Sequence, residues 1–379
     1  MTVLRSARVV AGDRVLDRGW VRVEGARIVE VGDGAAPGDD ATPDGHIDLG
    51  GAWLVPGFVD IHVHGGGGAS FCAGDPAQAR RAAEFHRSHG STTIIASLVT
   101  ASASDLLASV RMLADLVADD VIAGVHLEGP YLAAARCGAH DPALLRAPDP
   151  AEIATVLDNG RGTIRQVTIA PELPGALELI THLANAGVVA ALGHTDATYA
   201  QARAGFDAGG RLATHLYNGM RPIHHREPGV VTAALTDERV AVELINDGVH
   251  LHPAIVRDAF ARAGADRVAL VTDAMTAAGA VDGEYDLGGQ RVVVTDGVAR
   301  LGGGGAIAGS TLTMDVALQR TVRAAGVSVV DAVCAAATTP ARVLGLDDVG
   351  AIEPGRLADL VVLTDDLAVR GVMRHGQWV

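Results

Sequence analysis

The chain has 379 residues and a formal net charge of −15, and is 49% hydrophobic, 20% charged and only 3% aromatic. That length leaves room for one large α/β barrel with a smaller unit, and buries enough surface to need no disulfide staples. The composition excludes a disordered chain, and the acidic balance argues against nucleic acid or an acidic membrane surface as a partner.

The N-terminal run MTVLRSARVVAGDR carries charges too early for the apolar stretch of a signal peptide. Residues 3–10, 20–23 and 27–31 then read as short strands broken by Gly-Asp and Glu-Gly turns, followed by a surface loop over 32–45. From residue 54 the pattern becomes apolar strands alternating with helical segments, the signature of a βα repeat. Strands are predicted at 54–64, 92–98, 121–128, 166–171, 188–194, 212–216, 240–247 and 268–273. Helices are predicted at 76–89, 104–118, 175–186 and 253–263. Eight strands with interleaved helices predict an α/β fold, a (β/α)8 TIM barrel. A glycine-rich loop, 301–309, and helices at 313–325 and 329–344 follow. Segments 358–363 and 369–373 are strand-like again, so the two ends, 1–53 and 346–379, are expected to form a small β-sandwich domain beside a barrel of 54–345. No window has the ~18 uncharged apolar residues of a membrane span.

Cys72, Cys137 and Cys334 are scattered with no CxxC, which fits a reducing, cytoplasmic setting and argues against a structural zinc knuckle. The chain contains no lysine at all. That excludes Schiff-base catalysis, a P-loop lysine and a carboxylated-lysine metal bridge.

Five predicted strands end in residues that bind metal or move protons: His62 and His64, then Glu128, His194, His215 and Asp273. In a barrel all the C-terminal strand ends share one mouth. Alternation points His62 and His64 to one face, about 6–7 Å apart at Cα, within reach of a single ion. Nitrogen and carboxylate donors without sulfur suit Zn²⁺ or a similar first-row ion at a catalytic site. Glu128 can serve one ion or bridge two. His126 reads as a hydrogen-bonded residue behind the ligands. His86 and His89 read as surface-helix residues, His182 as helical and His46 as a loop residue, none with a partner at ligand spacing.

The run PGFVDIHVHG at 56–65 resembles the first-strand signature of the amidohydrolase superfamily. The motifs HLEGP (126–130), GAH (138–140), GHT (193–195), THLYN (214–218), REPG (226–229), DGVH (247–250), VTDA (271–274) and GSTLTM (309–314) resemble, in that order, the N-acetylglucosamine-6-phosphate deacetylase family. The run IEPGRLADL at 352–360 resembles the superfamily's terminal β domain. The resemblance implies hydrolysis of N-acetyl-D-glucosamine 6-phosphate to D-glucosamine 6-phosphate and acetate, in amino-sugar catabolism and cell-wall sugar recycling. It implies that Glu128, His194 and His215 bind the main metal, that His62 and His64 complete a second site in members that have one, and that Asp273 is the acid–base. The expected cofactor is thus a divalent metal, zinc by donor type, as one or two ions per subunit. Ala139, His140, Asn218, Gly219, Arg226, His250 and the turn Ile307, Ala308 and Gly309 fall where the family contacts substrate, and its members are usually homodimers. Cys137 stands where relatives often carry lysine, and Gly219 where many have alanine.

The chemistry is coherent without the resemblance. An acetamide needs a strong nucleophile and a proton donor for its leaving nitrogen. A metal brings the pKa of bound water to about 7, Asp273 moves the proton, and His140 is placed to donate to the oxyanion. With no lysine, an anionic substrate falls to Arg226 and His250, helped by backbone N–H groups near Asn218 and Gly219. The alternatives are a deacetylase of another N-acetylhexosamine or its phosphate, a cyclic-amide amidohydrolase and a non-catalytic sugar-phosphate binding protein. The missing lysine argues against the second and the acid–base residue against the third.

Overall fold

The computed structural model describes residues 1–36, 45–302 and 304–379, so 37–44 of the expected surface loop and residue 303 of the glycine-rich loop lie outside the described residues. Eight strands form the central sheet in chain order: Phe58–Val63, Ser91–Val99, Gly124–Glu128, Ile164–Ile169, Val189–Leu192, Leu212–Ala213, Ala241–Leu244 and Val268–Leu270. Every neighbouring pair is parallel. The cylinder closes beyond the last strand, where Asp273 N–H donates to His62 O and His64 N–H to Ala274 O, both at 2.8 Å. Strands such as Ser91–Val99 are buried along their whole length, which is why they read as continuous apolar runs.

Local sequence starts the helices where expected. Asp75 caps Pro76–Ser88 by accepting from Ala77 N–H, with proline in the first turn, and Ser102 caps Ala103–Ala118. The latter buries Leu106, Val110 and Leu113 at helical spacing against the barrel. The expected helix over 329–344 is Val329–Val333 and Thr339–Val343 joined by a π turn, Cys334–Thr338.

The first barrel strand begins at Phe58, not at residue 54. Trp53–Pro56 instead pairs with Leu360–Leu363 in the terminal sheet. Gly57 carries the chain between the two sheets, where a Cβ would lie 2.1 Å from Thr92 Oγ1. That terminal sheet has eight strands drawn from both ends of the chain. Its strand Thr2–Ala11 pairs along one edge first with His46–Asp48 and then with Trp53–Pro56. His46 therefore opens a strand rather than lying in a loop. The sheet folds over its own core of Leu4, Val9, Val21, Ile28, Leu54 and Leu360, so the two faces of the sandwich belong to one hydrogen-bonded sheet.

A three-stranded antiparallel sheet, Gly283–Leu287, Gln290–Thr295 and Val298–Leu301, follows the barrel and was not expected. Its turns are Gly288-Gly289 and Asp296-Gly297, with φ of 59°, 85°, 51° and 72°. Two consecutive left-handed residues are what a tight hairpin requires.

Candidate active site

All six expected ligands meet at the C-terminal mouth of the barrel. Glu128 ends its strand, while His194, His215 and Asp273 stand two or three residues beyond theirs. The latter three have φ of 46°, 28° and 48°, a left-handed conformation rare outside glycine and concentrated at functional sites. All six side chains are buried. They form two groups, His62–His64–Asp273 and Glu128–His194–His215, each with donor atoms within 4.8 Å of one another. Glu128 lies between them. Its Oε1 is 3.0 Å from both His194 Nε2 and His215 Nε2, and its Oε2 is 3.1 Å from His64 Nε2. Asp273 Oδ1 is 3.2 Å from His64 Nε2.

The donors fit a divalent metal. The Nε2 atoms of His194 and His215 are 3.0 Å apart, and those of His62 and His64 are 3.3 Å apart. Facing ring lone pairs repel unless they share a proton or a cation, and ligands about 2.0–2.1 Å from a zinc-sized ion have roughly this mutual spacing. The outer ring nitrogens are turned away, His64 Nδ1 toward Ser97 O at 3.1 Å and His194 Nδ1 toward Arg136 O at 2.7 Å. Such contacts fix ring orientation and leave Nε2 for the ion.

Burial disfavours charge on Glu128, yet His62 and His140 outweigh it and hold the carboxyl well below its usual range. Burial pushes the pKa of His140 down and so favours its neutral form. Its Nδ1 accepts from Thr100 N–H at 3.3 Å, which leaves the proton on Nε2, 3.4 Å from Glu128 Oε2. His126 sits behind the ligands as expected, between Ser97 Oγ at 2.9 Å and Thr168 Oγ1 at 2.8 Å.

A cavity of about 210 Å³ opens on these groups, and Ala139, His140, Asn218, Gly219, His250, Ile307 and Gly309 line it. His250 Nδ1 lies 2.7 Å from Asp247 Oδ2. Burial opposes charge on this imidazole, but the hydrogen bond and charge of Asp247 prevail and raise its pKa.

Other expected residues stand elsewhere. Arg226 is exposed on the turn His224–Glu227, its guanidinium 2.7 Å from His225 Nε2 and outside the cavity wall. Ala308 is fully buried in the small core of the three-stranded sheet. Asn218 N–H is committed to His215 O at 2.9 Å, so it is no anion donor. His86 is buried rather than on the surface, its Nε2 2.8 Å from Gly65 O, and burial lowers its pKa to about 4.

Sequence reasoning missed Val99, Ile245 and Leu287 on the cavity wall, and Glu243 and Gln166 beneath the ligands. The one signal was a carboxylate interrupting the apolar run 240–245.

The amidohydrolase family profile matches residues 53–379. The N-acetylgalactosamine-6-phosphate deacetylase of Escherichia coli O157:H7 is 38% identical over 380 residues, covering 99% of this chain and 98% of that protein. The N-acetylglucosamine-6-phosphate deacetylase of Vibrio furnissii is 36% identical over 345 residues, covering 90% and 85%. Among solved structures, the N-acetyl-D-glucosamine-6-phosphate deacetylase of Mycobacterium smegmatis is 50% identical with a TM-score of 0.96, covering 100% of both chains. A mutant of that enzyme, solved in complex with N-acetyl-D-glucosamine-6-phosphate, also superimposes with a TM-score of 0.96 and 50% identity, covering 100% of this chain and 98% of that one.

Proposed function

This chain belongs to the amidohydrolase family, and we propose that it hydrolyses the acetamide of N-acetyl-D-glucosamine 6-phosphate to D-glucosamine 6-phosphate and acetate. The observation that carries this reading is one small cavity where metal-fitting donors and the imidazoles of His140 and His250 face each other. The relatives at 38% and 50% identity that cover nearly the whole chain are deacetylases of amino-sugar 6-phosphates.

Glu128, His194 and His215 would hold the main ion, with His62, His64 and Asp273 as the second donor group. A divalent ion there supplies an acidified water and polarises a carbonyl oxygen. We take it to be zinc, since the donors are nitrogen and carboxylate oxygen without sulfur. Asp273 accepts the proton of the attacking water and returns it to the amide nitrogen as the C–N bond breaks, so that acetate and a free amine leave. His140 donates its Nε2 proton in a hydrogen bond to the oxyanion. His250, whose pKa Asp247 raises, receives the phosphate.

A homodimer, in line with the family resemblance, gives Arg226 a role that its own cavity does not. The side chain is exposed and available to a partner's phosphate site. Three free cysteines support a reducing, cytoplasmic setting.

One second reading has a specific observation behind it. The 38% identity to a galactosamine-type deacetylase over almost the whole chain favours the epimeric 6-phosphate as an alternative substrate. The deciding experiment is acetate release from both N-acetylhexosamine 6-phosphates and from the unphosphorylated sugars, before and after metal removal. The glucosamine-type 6-phosphate should give the highest kcat/KM, only with metal present. Full activity in rigorously metal-free protein would overturn the mechanism, and a higher kcat/KM on the galactosamine type would overturn the substrate.

A further inference from the structure

His64 and His194 each rest their outer ring nitrogen on a backbone carbonyl, Ser97 O and Arg136 O. The other two histidine ligands have no such carbonyl. His62 Nδ1 lies instead 3.0 Å from Glu243 Oε2, and His215 Nδ1 has no hydrogen-bond partner among the described residues. What holds His215 is its backbone: its N–H donates to the same Glu243 Oε2 at 3.0 Å, and Leu216 N–H donates to Glu243 O at 2.8 Å. The two rings stack with centroids 5.6 Å apart.

Glu243 sits on the central strand Ala241–Leu244 and is fully buried, as is Gln166, whose Nε2 donates to Glu243 Oε1 at 2.9 Å. Among the described residues, the side-chain partners of this carboxylate are His62 Nδ1, Gln166 Nε2 and the His215 N–H, and these compensate its burial. A carboxylate without such partners would be costly in an apolar barrel.

We propose that Glu243 is the positioning residue of the metal centre, fixing His62 through its ring and His215 through its backbone with one carboxylate oxygen. The inference rests on the metal-binding part of the proposed function. His62 Nδ1 is taken up by Glu243 Oε2, so Nε2 is the ring nitrogen left for an ion. His215 has φ of 28°, a conformation that persists only when its surroundings hold it, and the Glu243 bond is part of that hold.

The test titrates metal-free protein with Zn²⁺ against a chromophoric chelator, and records the Co²⁺ absorption spectrum as a readout of ligand geometry. Glu243→Leu should weaken both the ion that His62→Ala also loses and the one His215 helps to hold, by the roughly 10–100-fold typical of lost outer partners, and should alter the Co²⁺ bands. Glu243→Gln should recover most of that loss. Its carbonyl can still accept both protons, and its amide can meet Gln166 Oε1, which has no partner now. If Glu243→Leu does not fold, Gln166→Met decides. It removes only the donor to Glu243 Oε1 and should weaken the same ions in a protein that still folds, at a modest cost in melting temperature. Unchanged affinity and unchanged Co²⁺ bands in the folded variants would overturn the proposal. So would a Glu243→Gln as weak as Glu243→Leu, which would make charge, not position, the cause. Substrate plays no part in these measurements. A Glu243-dependent ion in a protein that releases no acetate from either sugar phosphate would sink the deacetylase reading and leave this one standing.

Discussion

Asp273 combines a left-handed backbone with the proposed proton shuttle. Asparagine tolerates that backbone as well as aspartate does, so Asp273→Asn removes the base without forcing the fold. It should lower kcat by about 10²–10⁴-fold with little change in KM, as steady-state acetate release will report. His250 gives a pH signature. Asp247 raises its pKa, so its positive charge is complete at low pH and is lost as pH rises through that raised value. On the 6-phosphate substrate kcat/KM should therefore fall on the alkaline side of the ordinary imidazole range, and Asp247→Asn should move that fall to lower pH. An identical fall on the unphosphorylated sugar would assign it to another group. The convergence of the six candidate ligands was legible in the sequence because strand ends in a barrel meet whatever separates them along the chain. Arg226 was not, since sequence spacing cannot say which way an exposed turn points. Glu243 was hidden for a related reason: its partners His62, Gln166 and His215 lie on other strands.

At the scale of elements, the positions of the ligand residues depend on how closely neighbouring strand ends approach. A Cβ on Gly193 would lie 2.6 Å from Thr214 Cβ and 2.9 Å from Thr168 Cγ2. Gly193→Ala must therefore push apart the strand ends that carry His194 and His215. Overpacking of this kind costs about 1–3 kcal/mol, and it should lower both the urea midpoint and the Zn²⁺ affinity. A stable variant with unchanged affinity would show that the strand ends yield independently of the ligands. The barrel's elements were legible from their unbroken apolar runs. The three-stranded sheet was not, because its strand Gly283–Leu287 is mostly half-exposed and only its Gly-Gly and Asp-Gly turns mark it. The join at Gly57 was equally silent. Apolar residues on either side of it are buried in two different sheets, and a one-dimensional pattern cannot register the change.

The molecule as a whole ties its C-terminus to the strand that carries His62. Leu360–Leu363 lies between Trp53–Pro56 and Val369–Arg374, and Trp53–Pro56 runs through Gly57 straight into Phe58–Val63. The last strands also grip the barrel directly: Arg374 Nη2 donates to Asp120 Oδ1 at 2.6 Å, and Arg374 Nε to Thr92 O at 3.3 Å. Both ends of the chain read as strands in the sequence, but this link to the metal centre arises only from their register. Deleting residues 369–379 removes the buried side chains of Val372 and Met373 and turns Leu360–Leu363 into an open edge. At about 1.5–3 kcal/mol for each buried side chain, the loss is roughly 3–6 kcal/mol, a large share of the 5–15 kcal/mol that holds a typical protein folded. The truncated protein should therefore unfold at a clearly lower urea concentration. Its Zn²⁺ titration should weaken first at the ion that depends on His62 and His64, because their strand is the one continuous with the damaged sheet. The donors Glu128, His194 and His215 belong to strands that make no pairing with that sheet, and their ion should be retained. Simultaneous loss of both ions would mean instead that the barrel unfolds as a single unit with its terminal sheet.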